Sequence, residues 1–177
     1  MNIVLIGYRC SGKTTVGELL ARDMARGFVD MDRLIEKGAM RSIRSYVLEK
    51  GWEHFRTLEK GVVFGLADSD NLVIATGGGV VTDRDNLRSL RRNGWIVWLK
   101  TSASIIKGRM EGENASSESR PALTGTDAIE EIEQILTERA GFYARASDYV
   151  VDTNERDPHQ VAHAIIEALP DTLRAGS

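Results

Sequence analysis

The residues from Gly7 to Thr14, GYRCSGKT, follow a short apolar run and match the phosphate-binding pattern G-x-x-x-x-G-K-[ST]. Glycines at both ends permit a tight loop with inward-pointing N–H groups, and the helix expected after Gly12 adds its positive end. Lys13 supplies a charge for β- and γ-phosphates, and the Thr14 hydroxyl can ligate Mg²⁺. Cys10 is expected to present its backbone to the loop rather than a redox thiol. The strand–loop–helix context favours a nucleotide phosphate site over an ordinary glycine-rich turn.

Two carboxylates, Asp30 and Asp32, follow the apolar segment GFVD. In an extended chain, residues two apart point the same way, so the pair should project together from the carboxyl end of a strand. Ligands of open α/β sheets bind at that edge. The pair is therefore the candidate source of an acid for a Mg²⁺ site, although Asp32 could instead cap the helix DRLIEKG.

Arg56 and Glu59 fall where a helix would place apolar residues. At about 100° per residue, the apolar residues after position 51 occupy one arc of roughly 140° that also contains both charges. The residues of this arc are Trp52, Phe55, Leu58, Val62, Val63 and Leu66. Buried charges are costly unless satisfied. Either the two residues pair with each other, three positions apart, or Arg56 meets an anionic ligand while Glu59 holds it.

Arg139 lies in the middle of a second predicted apolar face, within the helical pattern of residues 128–146. That face consists of Ile129, Ile132, Ile135, Leu136, Phe142 and Tyr143. Snorkelling of the arginine at a helix edge is the alternative, but a central position disfavours it. Two inward arginines indicate a recognised carboxylate or phosphate, because the guanidinium fork pairs with such groups.

The run Gly77, Gly78 and Gly79 follows an apolar segment directly and lets a ligand or another backbone approach closely. A plain turn is the alternative. Farther on, Arg120 ends a polar stretch at 110–120 that is typical of a mobile loop. An arginine on such a loop can neutralise a transferring phosphoryl group, or it is a solvated charge.

The elements that must position these residues are read from five apolar runs that alternate with helical patterns. The runs cover 2–6, 27–30, 71–75, 94–99 and 148–152. They predict a single α/β domain over 1–177 with about five parallel strands between helices. A helical segment over about 32–60 and a lid over about 110–124 interrupt the pattern, and the tail after Leu169 is expected to fray.

Composition narrows the class of protein. The 177 residues carry a net charge of −3 and one cysteine, so nothing favours nucleic acid, an anionic membrane or disulfides. The first apolar run is too short for a membrane span or signal peptide. We expect a cytoplasmic protein, and no heptad pattern or apolar patch demands more than a monomer.

Phosphate loops of this pattern occur in several classes of nucleotide-binding protein. A switch GTPase needs D-x-x-G and N/T-K-x-D motifs, and neither occurs. Transport ATPases carry an apolar strand that ends in aspartate beside the loop, and the segments NLVIATGGG and WIVWLKT lack it. The remaining class is a small kinase.

The motifs together resemble the shikimate kinase family. They are GYRCSGKTTVG, FVDMD, FRTLE at 55–59, GGGVV, SRPAL, ERAGFY at 138–143 and VDTN, in order over about 1–168. The resemblance implies a three-layer α/β/α P-loop kinase fold that phosphorylates the 3-hydroxyl of shikimate with ATP and Mg²⁺, on the route to chorismate and the aromatic amino acids.

The resemblance also implies roles for individual residues. Catalysis would fall to Lys13, Asp32 and Arg120, with Asp32 as the base or the group that orients the reacting diol. ATP would contact Gly7, Cys10, Ser11, Gly12, Lys13, Thr14, Thr15, Arg109, Arg120, Arg156 and Pro158. Shikimate would contact Asp32, Arg56, Glu59, Gly77, Gly78, Gly79, Arg120 and Arg139. The metal would be reached by Thr14 and, through water, by Asp30.

Two other functions remain open. A kinase of another small hydroxy acid, such as gluconate, would also need carboxylate-binding arginines. A nucleotide-sensing module that binds ATP without transferring phosphate would be expected to lack part of the catalytic set, yet Lys13, Asp32 and Arg120 are all present.

Overall fold

A computed structural model describes residues 1–113 and 128–174 of the chain. At its centre is a five-stranded parallel sheet with the order β2-β3-β1-β4-β5. The strands are β1 (Asn2–Ile6), β2 (Gly27–Asp30), β3 (Leu72–Ala75), β4 (Gly94–Lys100) and β5 (Tyr149–Asp152). Each predicted apolar run is therefore a strand, and the predicted parallel sheet is confirmed.

Helices cover both faces of this sheet. They are α1 (Lys13–Asp23), α2 (Met31–Ala39), α3 (Ile43–Leu66), α4 (Arg84–Arg91), α5 (Ala103–Glu113), α6 (Ala128–Ala146), α7 (Pro158–Glu167) and α8 (Asp171–Arg174), with a 3-10 turn over Val80–Thr82. None of the helices within 1–113 and 128–174 is long and apolar enough to span a bilayer.

The central strand β1 shows why the apolar runs are continuous rather than alternating. Its residues Ile3–Ile6 are all fully buried, because the strand is covered on both faces. Ile3 and Leu5 pack against α1 and α7, whereas Val4 and Ile6 pack against α3, α4 and α6. The predicted three-layer α/β/α fold is thereby confirmed.

The long helix α3 is bent at Gly51, which has φ 83° and ψ 168°. A positive φ is open to glycine at little cost. Val47 before the bend and Phe55 after it both pack with Ile35 of α2 in one apolar cluster. The second half of α3, which carries Arg56 and Glu59, is thus fixed against α2 as well as against the sheet.

Two predictions about irregular chain are wrong. The stretch from 110 to 113 continues α5 instead of starting a loop. The described part of the tail forms α8 (Asp171–Arg174), where Leu173 is only 1% exposed and its carbonyl oxygen accepts a hydrogen bond from Arg26 Nη2 at 3.2 Å. Most of the predicted lid, including Arg120, lies outside the described residues.

Candidate active site

The loop from Gly7 to Gly12 joins β1 to α1 at the carboxyl edge of the sheet. Both glycines have positive φ, 147° and 94° respectively, a region that side chains disfavour. A Cβ built on Gly7 would also lie 2.7 Å from the carbonyl oxygen of Leu99. The two glycines of the motif are therefore required by backbone geometry, and the loop leads straight into the N-terminus of α1, where anions bind.

The Lys13 side chain folds back against this loop and is buried. Its Nζ donates hydrogen bonds to the carbonyl oxygens of Gly7 at 3.0 Å and Tyr8 at 2.7 Å, and to the Ser11 hydroxyl at 3.4 Å. The ammonium group is thus fixed beside the loop backbone, the position from which it can neutralise a bound phosphate.

Asp30 ends β2 and also caps α2. Its Oδ1 accepts a hydrogen bond from the Arg33 backbone N–H at 3.1 Å, and its Oδ2 accepts one from the Thr14 hydroxyl at 2.7 Å. The two predicted metal ligands are therefore adjacent at the start of α1. Their hydroxyl and carboxylate oxygens are the hard donors that Mg²⁺ prefers.

Asp32 lies in the first turn of α2, which corrects both interpretations of this residue. The extended segment ends at Asp30, so the two carboxylates are not an extended i, i+2 pair, and Asp30 rather than Asp32 is the cap. Asp32 is half-buried and faces the glycine run, since a Cβ built on Gly77 would lie 3.1 Å from its Oδ1. Its carboxylate nevertheless reaches the carboxyl edge of the sheet.

Arg56 and Glu59 form an ion pair, with Nη1 2.7 Å from Oε2. The Glu59 side chain is 1% exposed, whereas 34% of the Arg56 side chain remains exposed. The guanidinium also lies over the rings of Trp52 and Phe55, at 5.6 and 5.4 Å from their centroids. The self-pairing alternative is thus observed, yet it leaves one side of the guanidinium accessible to a ligand.

The three glycines after β3 each border a different part of the site, and none has a positive φ. A Cβ on Gly77 would lie 2.6 Å from Glu59 Oε1, and one on Gly79 would lie 2.6 Å from Arg56 Cζ. A Cβ on Gly78 would lie 3.4 Å from a carbonyl oxygen of the phosphate loop. Close approach, rather than turn conformation, accounts for the glycine run.

Arg139 projects from α6 toward the same run, and its Nη1 donates to the Gly78 carbonyl oxygen at 3.2 Å. The predicted apolar face of α6 is partly right: Ile132, Ile135 and Tyr143 are buried. Phe142 is wrongly included, since it is 38% exposed and packs its ring against Arg145, 5.2 Å from the guanidinium carbon. Arg56 and Arg139 thus meet adjacent glycines from two different helices.

A cavity of about 200 Å³ adjoins the phosphate loop on the side away from Arg56. It is lined by Cys10, Ser11, Gly12, Thr15, Val16, Arg109, Thr153, Arg156, Pro158 and Val161. Arg109 bridges its walls, because it donates to the carbonyl oxygens of Cys10 at 3.1 Å and Thr153 at 3.3 Å. The cavity therefore brings together seven of the predicted nucleotide residues, whereas Gly7, Lys13 and Thr14 belong to the adjoining loop and helix start and do not line it.

Sequence reasoning missed three of the residues that line this cavity, namely Val16, Thr153 and Val161. Thr153 had a signal, because it belongs to the VDTN motif directly after β5. The two valines had none, since in the sequence each is simply an apolar position of an amphipathic helix.

The phosphate loop lies between the first strand of a parallel α/β/α sheet and the first helix, and a separate cluster of carboxylates and arginines faces it. This arrangement defines a P-loop kinase of a small molecule. The shikimate kinase family model matches residues 9–170. The chain belongs to the shikimate kinase family.

Individual relatives agree with this assignment. The chain is 40% identical over 176 residues to a shikimate kinase of Symbiobacterium thermophilum, covering 99% of this chain and 100% of the relative. A shikimate kinase of Thermoanaerobacter pseudethanolicus is 41% identical, with 94% of this chain and 95% of the relative covered. The structure of a shikimate kinase of Acinetobacter baumannii in complex with shikimate superposes with a TM-score of 0.86 at 31% identity, covering 94% and 90% of the two chains.

Proposed function

We propose that this chain transfers the γ-phosphoryl group of ATP to the 3-hydroxyl of shikimate. The hydroxyl oxygen forms the new bond to the γ-phosphorus, the bond from that phosphorus to the β–γ bridging oxygen breaks, and the products are ADP and shikimate 3-phosphate. One observation carries the proposal: Arg56 and Arg139 converge on Gly78 and Gly79, with Asp32 beside the same run.

On the acceptor side, the two arginines bind the carboxylate of the substrate. The exposed side of Arg56 and the remaining N–H groups of Arg139 are available for this, and Glu59 keeps Arg56 in place. Asp32 accepts a hydrogen bond from the reacting hydroxyl, directs its lone pair to the phosphorus, and takes up its proton as the new bond forms.

On the donor side, the loop backbone and Lys13 bind the phosphates, and the cavity lined by Arg109, Arg156 and Pro158 receives the adenine. Lys13 neutralises charge that develops on the transferring group. Arg120, in the proposed lid, is assigned the same task.

We assign Mg²⁺ to the oxygens of Thr14 and Asp30. The 2.7 Å hydrogen bond between them places a hydroxyl and a carboxylate together beside the phosphate loop, which fits a cation that binds few protein ligands and several waters. When bound, the ion neutralises charge on the β- and γ-phosphates.

The proposed setting is the cytoplasm, with the whole chain as one domain and a monomer as the active unit. ATP and shikimate are the small-molecule partners. The single cysteine supports a reducing compartment, and the mildly acidic net charge of −3 does not favour nucleic acid or an anionic membrane as a partner.

The proposal is tested by coupled ADP detection with the purified chain, ATP and Mg²⁺. Shikimate should stimulate ADP formation, and ³¹P spectroscopy should identify a 3-phosphate ester. Gluconate, a linear hydroxy acid, and quinate, whose six-membered ring is saturated, serve as comparison acceptors that also carry a carboxylate. ADP formation that does not depend on shikimate, or that prefers another acid, would overturn the assignment.

Replacement of Gly79 by alanine is expected to raise KM for shikimate by about tenfold, because small displacements of a positioning group cost that much or more. The new Cβ would lie 2.6 Å from Arg56 Cζ and push the guanidinium away. Gly79 has φ −100°, so the effect is steric and not a matter of backbone strain. Steady-state kinetics with each substrate varied in turn provide the measurement.

Gly61→Ala is the matched control for this variant. Gly61 lies in α3 on the exposed side, and a Cβ there meets no atom within 4 Å. The control should keep both KM values and gain slight stability from helix propensity. If Gly79→Ala keeps the wild-type KM for shikimate, Arg56 does not bind the acceptor.

A further inference from the structure

The carbonyl oxygen of Gly78 is a junction between the glycine run and α6. It accepts two hydrogen bonds, one from the Tyr143 hydroxyl at 2.6 Å and one from Arg139 Nη1 at 3.2 Å. The donors are four residues apart, so they reach the carbonyl from one face of the helix. Behind Gly78 lies the phosphate loop, since a Cβ built there would be 3.3 Å from the backbone nitrogen of Arg9. Gly78 is therefore confined between α6 and the phosphate loop.

Tyr143 contributes in two separable ways. Its ring is 1% exposed and stacks on Trp98, with centroids 5.5 Å apart and planes 20° from parallel. Phenylalanine would preserve that packing. The hydroxyl is buried with the ring, and burial raises the pKa of Tyr143 to about 12. It is therefore a neutral donor at physiological pH, and a buried O–H requires an acceptor. Its acceptor is the carbonyl that Arg139 also uses.

We propose that Tyr143 is a positioning residue for substrate recognition, whose hydroxyl holds the Gly78 carbonyl and thereby fixes the direction of the Arg139 guanidinium. The inference rests on the proposed role of Arg139 toward the acceptor carboxylate. Arg139 Nη1 donates to the Gly78 carbonyl oxygen, and the guanidinium also lies beside the Tyr143 hydroxyl, whose pKa it acts to lower. The Gly78 carbonyl and the Tyr143 hydroxyl together thus decide where the guanidinium fork points, and bidentate pairing depends on direction.

The test is Tyr143→Phe, which removes one hydroxyl and keeps the ring. We expect KM for shikimate to rise roughly five- to tenfold, the range of one lost hydrogen bond. Both kcat and KM for ATP should stay within about twofold, because uniform binding of one substrate is what is lost. KM is a property of the folded molecules, so partial unfolding would lower the apparent kcat without raising KM for shikimate. The thermal midpoint of the variant is measured to detect such unfolding.

Tyr149→Phe is the matched control. Tyr149 also stacks on a tryptophan, Trp95, with centroids 5.8 Å apart and planes 15° from parallel. It lies on β5, and among residues 1–113 and 128–174 its hydroxyl has no hydrogen bond. Loss of this hydroxyl should leave both KM values unchanged.

A double-mutant cycle shows whether the hydroxyl acts through Arg139. In an Arg139→Ala background, Tyr143→Phe should raise KM for shikimate no further, because the group it positions is gone. An additive rise in the cycle, an equal rise in both KM values, or an unchanged KM for shikimate would each overturn the inference. Wild-type turnover is measured first, since a protein inactive toward shikimate overturns the proposed function, and this inference with it.

Discussion

Replacement of Asp32 by asparagine is expected to lower kcat for shikimate phosphorylation by about 10³-fold, within the range for loss of a general base. Asparagine is nearly isosteric, so it fits the same space beside Gly77, whereas the proton acceptor is lost. KM for ATP should change little, because the phosphate loop and its cavity lie on other elements. Single-turnover kinetics with saturating substrates isolate the chemical step.

The control for this variant is Asp68→Asn. Asp68 has a side chain that is 83% exposed and pairs with Arg92 at the protein surface, where ion pairs contribute little. Its replacement should leave kcat unchanged. A kcat for Asp32→Asn within tenfold of wild type would show that another group orients and deprotonates the hydroxyl.

The parts of the fold that the sequence predicted are those set by local pattern. β1 is apolar at consecutive positions because it is covered on both faces, and that pattern can be recognised in the sequence alone. Arg56 and Arg139 were also found from helical phase alone. A charge in an apolar stripe is conspicuous, since it must be satisfied by something.

The features that the sequence did not predict depend on contacts between residues far apart in the chain. Either Asp30 or Asp32 could have capped α2 by local chemistry. Asp30 does so, and its second oxygen pairs with Thr14, sixteen residues earlier in the chain. Leu173 is similar: its burial among the side chains of α7 and β1 is not visible in a polar tail.

Local backbone conformation was the other feature that could not be predicted from the sequence. Met40 ends α2 with φ 53°, a left-handed value that a non-glycine residue adopts at some cost, while the nearby Gly38 remains helical. At Gly51 the backbone bends with φ 83°, and Val47 and Phe55 on either side of the bend pack with Ile35. Glycine in a sequence shows where such conformations are permitted, not where they occur.

Lys13→Met is expected to reduce kcat/KM for ATP by about 10³-fold, as removal of one preorganised group facing transition-state charge does elsewhere. Methionine keeps the aliphatic length of lysine and removes the ammonium. The loss should exceed that of any surface lysine because the Lys13 ammonium is buried and held by the carbonyls of Gly7 and Tyr8, where charge is weakly screened.

Lys60→Met separates this effect from a general loss of positive charge. Lys60 follows the buried Glu59 in α3, but its own side chain is exposed and pairs with Asp85 at 2.6 Å. It should lose little activity, although α3 loses a contact with α4. Because removal of Lys13 also leaves two loop carbonyls without their donor, the thermal midpoint is followed in both variants. A Lys13→Met protein that is folded and keeps more than about a tenth of wild-type kcat/KM for ATP would contradict the electrostatic role, since one tenfold step is only about 1.4 kcal/mol of barrier.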